Sequence, residues 1–399
     1  MTRICVASSG LGHVARGIEA WADDLGHALA ARGEDVILCK GDGRPESDFE
    51  RVVPCWTRES RQARLLVNWI PRSVGWRIGF GSGYAVEQTT FARNLLRLLQ
   101  EEDVDVLHVQ DPHVAYRIQR ACERGWIRTR TILAHGTEES IEFQARITYL
   151  QHLAPWHLEA ARAAGHCRST WTAVPNFIDT DRFRPGDGGA IRQELNIPQD
   201  AVMVLATAAI KRHHKRVDYL VREFRLMLDQ CPEAPIWLVI AGGVEPETEA
   251  IVAEATQMLG RRVRFLVQFP RHRMPELYRA ADVFTLGSLM EMMPIALLEA
   301  LASGLPCVVH HHPVMSWMAG PGGITADLSQ PGGWVEAATP LLLGQLQRQY
   351  TGELGRQHCE SNFSRDRVID QILDYYEVVL HHDKPGHEAG ARDAMQVVT

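Results

Sequence analysis

The chain has no run of about 18 apolar residues such as crosses a bilayer, no long basic stretch, and no C-x-x-C pair among its eight cysteines. The first absence leaves no visible membrane-spanning segment. The opening residues, MTRICVASSG, lack a basic region followed by a long apolar one, so no secretory signal is expected. Without a basic run, and with a formal charge of -7, the chain has no electrostatic reason to hold nucleic acid, and small or neutral partners are expected. Cys5, Cys39, Cys55, Cys122, Cys167, Cys231, Cys307 and Cys359 are dispersed without framework spacing, which points to reduced thiols in a cytoplasmic protein.

What is present is enough apolar residue for two cores: 45% of 399 residues, beyond the roughly 250 at which one core stops growing. Short β-branched runs (ICVAS near Ile4, DVILC from Asp35, DVLHV from Asp105, TILAH from Thr131, VMVLATA from Val202, IWLVIAGG from Ile236) alternate with helix-length segments. That rhythm predicts parallel sheets with crossover helices, hence an α/β chain of two doubly wound domains. The first helix is the clearest, with Ala20, Leu25, Leu29 and Ala30 on helical spacing and a stop at Gly33. Residues 173–189, AVPNFIDTDRFRPGDGG, read as a linker. A last helix spans 364–380, and the polar tail at 381–399 reads as disordered.

In open α/β sheets ligands bind beyond the carboxyl ends of strands. After the first strand comes SSGLGHVARG, with Gly10, Gly12 and Gly17; it is not G-x-G-x-x-G, and it reads either as a tight turn or as backbone brought close to a phosphate. After the strand at 202, Lys211, Arg212, Lys215 and Arg216 surround His213 and His214, either as a solvated helix start or as cations for a diphosphate. The third stretch is SLMEMMPIALLEALASGLPCVV, residues 288–309, where Glu291 and Glu299 flank an apolar run. Pro294 suits the first helical position, with free amides and the positive end of the helix dipole next to it. A carboxylate only accepts hydrogen bonds, so the two glutamates suit the hydroxyls of two sugar rings on either side of a diphosphate. Surface ion pairs with arginines are the plainer alternative.

These residues resemble the retaining glycosyltransferases of family 4. SLMEMMPIALLEALASGLP is similar to that family's E-x7-E segment, and RGIEAWADDLGHALAARGEDV, DVLHVQDP, TILAHG, VPNFIDTDRFRP, HKRVDYL, LVIAGG and MPELYRAADVF follow its order. The resemblance implies the GT-B fold, two facing Rossmann-like domains with a cleft between them. The division expected is 1–172 for an acceptor-side domain and 173–363 for a nucleotide-sugar-binding domain, with the final helix packing back on the first. Carried over, Glu299 holds the donor ribose, Glu291 and His135 lie by the transferred sugar, and Lys215 binds phosphate. Gly17 lets backbone approach the diphosphate, Gln268 and Phe269 meet the base, and Ile295 lies at the helix start.

Two departures stand out. Met292, Met293 and Pro294 replace the family's Gly-Phe-Gly, and Pro294 has no N–H to offer. Ala209 and Ile210 stand where the family has an arginine, leaving Lys211 or Arg212 to take its place. The resemblance implies a retaining transfer of a sugar from a UDP- or GDP-linked donor to a hydroxyl acceptor, with no cofactor and no metal, domain closure excluding water. An epimerase, a phosphorylase or an inactive nucleotide-sugar-binding subunit are the rival readings. His310, His311 and His312 are expected to diverge on an extended segment and form no metal site. Residues 56–80 carry Arg58, Arg61, Arg64, Arg72 and Arg77 against Glu59, interleaved with Trp56, Trp69, Trp76 and Phe80. They read either as a packed fold element or as an acceptor-side surface for an anionic or lipid-linked acceptor, with peripheral contact at the inner face of a membrane.

Overall fold

The computed structural model describes residues 2–14 and 16–382, without the side chains at 72, 76 and 77; most of the tail expected to be disordered, 383–399, lies outside the described residues. The chain forms two compact units, Met1–Pro175 with Ile369–Thr399, and Asn176–Val368.

The first unit holds β1 (Arg3–Ser8), β2 (Asp35–Lys40), β3 (Glu50–Val52), β4 (Val106–Val109), β5 (Arg130–His135), β6 (Tyr149–His152) and β7 (Thr172–Ala173). They lie in the order β3-β2-β1-β4-β5-β6-β7, every pair parallel. Parallel strands are covered on both faces, which is why ICVAS and DVILC are buried along almost their whole length rather than alternately. The helix Gly17–Ala31 buries Trp21, Leu25, Ala28 and Leu29, a stripe rotated from the predicted one because Ala20 and Ala30 lie at its edge. Gly33 ends the turn at φ +83, a conformation that L side chains rarely adopt. The final helix, Arg365–His381, is tied to this unit by buried polar anchors. The Tyr376 hydroxyl meets His108 Nδ1 at 2.8 Å, and the Tyr375 hydroxyl donates to the Thr170 carbonyl at 2.7 Å.

The second unit holds β8 (Val202–Thr207), β9 (Ile236–Gly242), β10 (Val263–Val267), β11 (Val283–Thr285), β12 (Cys307–His310) and β13 (Gly323–Ala326), ordered β10-β9-β8-β11-β12-β13 and again all parallel. In each sheet the winding reverses once, between β1 and β4 and between β8 and β11. Crevices at the carboxyl ends of such strand pairs are where doubly wound sheets bind ligands.

No two of the eight cysteines are joined, although the Cys5 and Cys39 sulfurs approach to 3.6 Å on neighbouring strands. Among the described residues no helix is long and apolar enough to cross a membrane.

Candidate functional site

In the second unit the loop after β8 brings Lys215 to Glu291 of the loop after β11, Nζ to Oε1 at 2.5 Å. Glu291 is 8% exposed, so the pair is shielded on the carboxylate side. Lys215 sits between two left-handed residues, His214 at φ 67 and Arg216 at φ 48. Each such non-glycine conformation costs about 1–3 kcal/mol and persists only where its surroundings enforce it. Here the enforcement is visible: the Arg216 guanidinium donates to the carbonyls of Gly287 and Leu328 at 3.2 and 2.6 Å and stacks on Tyr219 at 4.1 Å. His214 Nε2 meets the Met290 carbonyl at 3.1 Å and lies 3.8 Å from Glu291 Oε2.

Glu299 is one turn inside the helix Ile295–Ala302, where Pro294 is the residue before the helix rather than its first residue. The Tyr278 hydroxyl donates to Glu299 Oε2 at 2.7 Å and meets Thr207 Oγ1 at 2.8 Å. Burial first, and then the Glu299 charge, pushes the Tyr278 phenol well above its ordinary range, so it remains a donor. Met293, within the stretch that departs from the family pattern, is turned inward: Asn176 donates its backbone N–H to the sulfur at 3.1 Å and its side-chain amide to the Met293 carbonyl at 3.3 Å.

The other predicted positions are less concentrated. Lys211 lies 3.9 Å from Glu245, while Arg212 turns to Glu254 at 2.6 Å and to Asp218 at 3.9 Å. Gln268 is exposed at φ 55, and Phe269 lies under Arg273 at 5.3 Å. His310 and His311 do not diverge; β12 ends at His310 and their rings close to 4.3 Å, with Asp327 beside them. His310 Nδ1 accepts the Leu328 N–H at 3.1 Å, which puts the hydrogen of the neutral ring on Nε2 and leaves that atom no lone pair for a metal.

In the first unit Gly17 opens its helix with nothing within 4 Å of a Cβ placed there, whereas Gly12, at φ 100, would drive a Cβ to 2.0 Å from the Asp42 carbonyl oxygen. Gly12 is required by the turn, and Gly17 borders open space. His135 ends β5, 3% exposed, and burial lowers its pKa to about 4.

Sequence reasoning missed a buried polar network at the ends of β1 and β4. Arg58 donates to both oxygens of Glu87, at 2.5 Å to Oε1 from the guanidinium and at 2.8 Å to Oε2 from the backbone, and His13 Nε2 meets Glu87 Oε2 at 2.9 Å. Asp111 takes the Ser9 hydroxyl at 2.8 Å and the Tyr84 hydroxyl at 3.0 Å. Arg58 is thus half-buried and turned onto Glu87, not part of the surface excess at 56–80. The available signal was Glu87 at helical spacing from Phe91 and Leu95, a carboxylate on an apolar face. Of the rest of that segment, Trp69 is 83% and Leu65 59% exposed on the helix Arg61–Trp69, opposite buried Ala63.

Two Rossmann-like units, each with polar residues gathered at the carboxyl ends of its switch strands, make this a GT-B fold. The sequence matches Glycosyltransferase Family 4 over residues 15–182 and Glycosyl transferases group 1 over residues 188–358, and the chain belongs to the family 4 glycosyltransferases. It is 31% identical over 215 residues to the D-inositol 3-phosphate glycosyltransferase of Corynebacterium jeikeium, covering 51% of each chain. It is 28% identical to that of Nocardia farcinica over 57% of this chain and 52% of the relative. The chain thus spans about half the length of the curated relatives it matches. Among solved structures, sucrose-phosphate synthase from Thermosynechococcus elongatus superposes with a TM-score of 0.76 at 18% identity, covering 96% of this chain and all of that one. The Anabaena HepE protein, solved with UDP and glucose, gives 0.71 at 14% identity over 94% of this chain and all of its own.

Proposed function

We propose that the chain transfers a sugar from a UDP- or GDP-linked donor to a hydroxyl acceptor, with retention of configuration and without a metal. The observation that carries this reading is the constellation at the ends of β8 and β11: a cation, Lys215, and two acceptor carboxylates, Glu291 and Glu299, on and before one short helix. In this reading Glu299, oriented by Tyr278, takes the ribose hydroxyls, and the Ile295 and Ala296 amides, lacking acceptors in the first helical turn, face the diphosphate. Lys215 leaves Glu291 for the departing diphosphate as charge grows on it, and Glu291 is released to the sugar hydroxyls. His135 orients the transferred sugar from the first unit, which serves the acceptor. Same-face attack assisted by the leaving phosphate gives retention. Gly17 lets backbone reach phosphate, Gln268 and Phe269 border the base, and Lys211 supplies further positive charge.

The test is a thermal-shift screen of the chain against nucleotide diphosphates and nucleotide sugars, since a ligand held by the native state raises the melting temperature. Donor hydrolysis and transfer are then followed with and without EDTA, and the anomer formed is identified. Stabilisation by UDP or GDP, with EDTA-resistant turnover giving the retained anomer, is expected. Loss of turnover in EDTA restored by one divalent metal would refute the metal-free mechanism, and binding without turnover would favour a nucleotide-sugar-binding subunit.

A further inference from the structure

His135 ends β5 and His152 ends β6, opposite each other in the strand register and 3% and 0% exposed. Their Nδ1 atoms are 3.4 Å apart and their rings meet edge to face, centroids 5.4 Å apart. His157 stacks near His152 at 6.4 Å and Trp171 meets it edge-on at 5.5 Å, so the His152 ring is held from two further sides.

The hydrogens in this pair follow from one fixed acceptor. Gln144 places its carboxamide nitrogen 2.9 Å from the Glu139 backbone oxygen, and a carbonyl oxygen only accepts, so the orientation of the amide is settled. The same nitrogen stands 3.3 Å from His135 Nε2, and having only hydrogens to offer, it makes that atom an acceptor. The hydrogen of the neutral His135 ring is therefore on Nδ1, directed at His152 Nδ1, which accepts it. His152 then carries its own hydrogen on Nε2, a buried atom with no hydrogen-bond partner. Burial keeps both rings neutral, His135 down to about 4 and His152 to about 3.

We infer that His152 is a positioning residue for the transfer reaction: its Nδ1 accepts the hydrogen that Gln144 leaves on His135 Nδ1, and that bond fixes the ring at the end of β5. This rests on the reading above that His135 contacts the transferred sugar. Both nitrogens of His135 are engaged inside the first unit, by Gln144 and by His152, so His135 serves by orientation. A hydrogen bond to one ring nitrogen sets the chemistry of the other, and a small displacement of a positioning group costs roughly a hundredfold in rate.

Long-range 1H–15N correlation of the full chain labelled with 15N-histidine, at pH 7 and without substrate, reads the tautomers directly. His135 protonated on Nδ1 and His152 on Nε2 are expected, each assigned by the signals lost in His135→Gln and His152→Phe. His152→Phe, which keeps a ring but no acceptor, should leave His135 protonated on Nδ1, as Gln144 requires, while stripping that hydrogen of its acceptor and shifting its 15N signal. It should lower kcat roughly ten- to a hundredfold with little change in donor KM, whereas His152→Gln, whose carbonyl again accepts, should recover most of the loss. His135 protonated on Nε2 in the unmodified chain, or wild-type kcat in His152→Phe, would overturn the inference while leaving the transferase reading intact. The expected tautomers in a chain that turns over no nucleotide sugar would instead overturn that reading, and the role of His152 with it.

Discussion

Replacing Tyr278 by Phe removes one oxygen from the second unit. The ring stays, held by Phe183 and Phe284 at 5.8 and 5.9 Å. The lost hydroxyl has one hydrogen, given to Glu299 at 2.7 Å, so Thr207 is the donor in the other contact at 2.8 Å. A hydrogen bond to a charged group contributes about 1.5–3 kcal/mol. Glu299 is half-buried and regains water, which places the cost at the lower end, about 1.5 kcal/mol. For a domain of 150–250 residues that corresponds to a fall in Tm of about 3–6 °C. Binding should suffer separately, because a Glu299 that has lost the Tyr278 bond is less well ordered before the ligand arrives, at up to about 0.5–1.5 kcal/mol per side chain. The Kd for the nucleotide diphosphate should therefore rise about 2- to 12-fold, measured by calorimetric titration, with Thr207→Val showing a smaller change of the same sign. An unchanged Tm with equal or tighter binding would refute the argument, since it would mean that Glu299 needs no help to face the ribose.

Glu299→Ala should weaken nucleotide diphosphate binding by about 1–3 kcal/mol, while Glu291→Ala spares it and lowers sugar transfer; equal calorimetric affinity in wild type and Glu299→Ala would contradict this. Lys215→Ala should reduce turnover more than donor affinity, because charge on the leaving group grows toward the transition state; a loss confined to affinity would remove its electrostatic role. Glu87→Ala leaves half-buried Arg58 with the more distant Glu19, 3.6 Å away, and should destabilise the chain by about 1.5–3 kcal/mol, read from urea midpoints, and a change below about 1 kcal/mol would show the network to be idle. His108, His135 and His152 have folded-state pKa values of about 3, 4 and 3, below the ordinary 6.5. Between those limits the unfolded chain binds more protons, so their contribution is complete above about pH 6.5 and is lost as pH falls toward 3. Glu19, Glu139 and Asp111, raised by burial, act in the opposite sense at lower pH. The test is therefore read between pH 7 and 5.5, where a flat urea midpoint would count against buried neutral histidines.

The sequence alone carried the alternation of strand and helix, the placing of both glutamates around one helix start, and the first helix with its stop at Gly33. These are local properties, set by side-chain periodicity and by what each backbone conformation tolerates. Short strands escaped: TYLQH lacks an apolar pattern because Gln151 and His152 are buried at 0% exposure, and VFT is too short to show one. Position 293 was legible as a departure from the family pattern, but its inward turn onto Asn176 was not. Only the tertiary structure brought Lys215 to Glu291, Tyr278 to Glu299, Arg58 to Glu87 and His135 to His152. Strand order decides such pairs. β8 lies beside β11 although β9 and β10 come between them in the chain, so loops 76 residues apart meet at one end of the sheet. Periodicity gives a strand its two faces but not its neighbours; those follow from the winding of the whole sheet, which no single segment encodes.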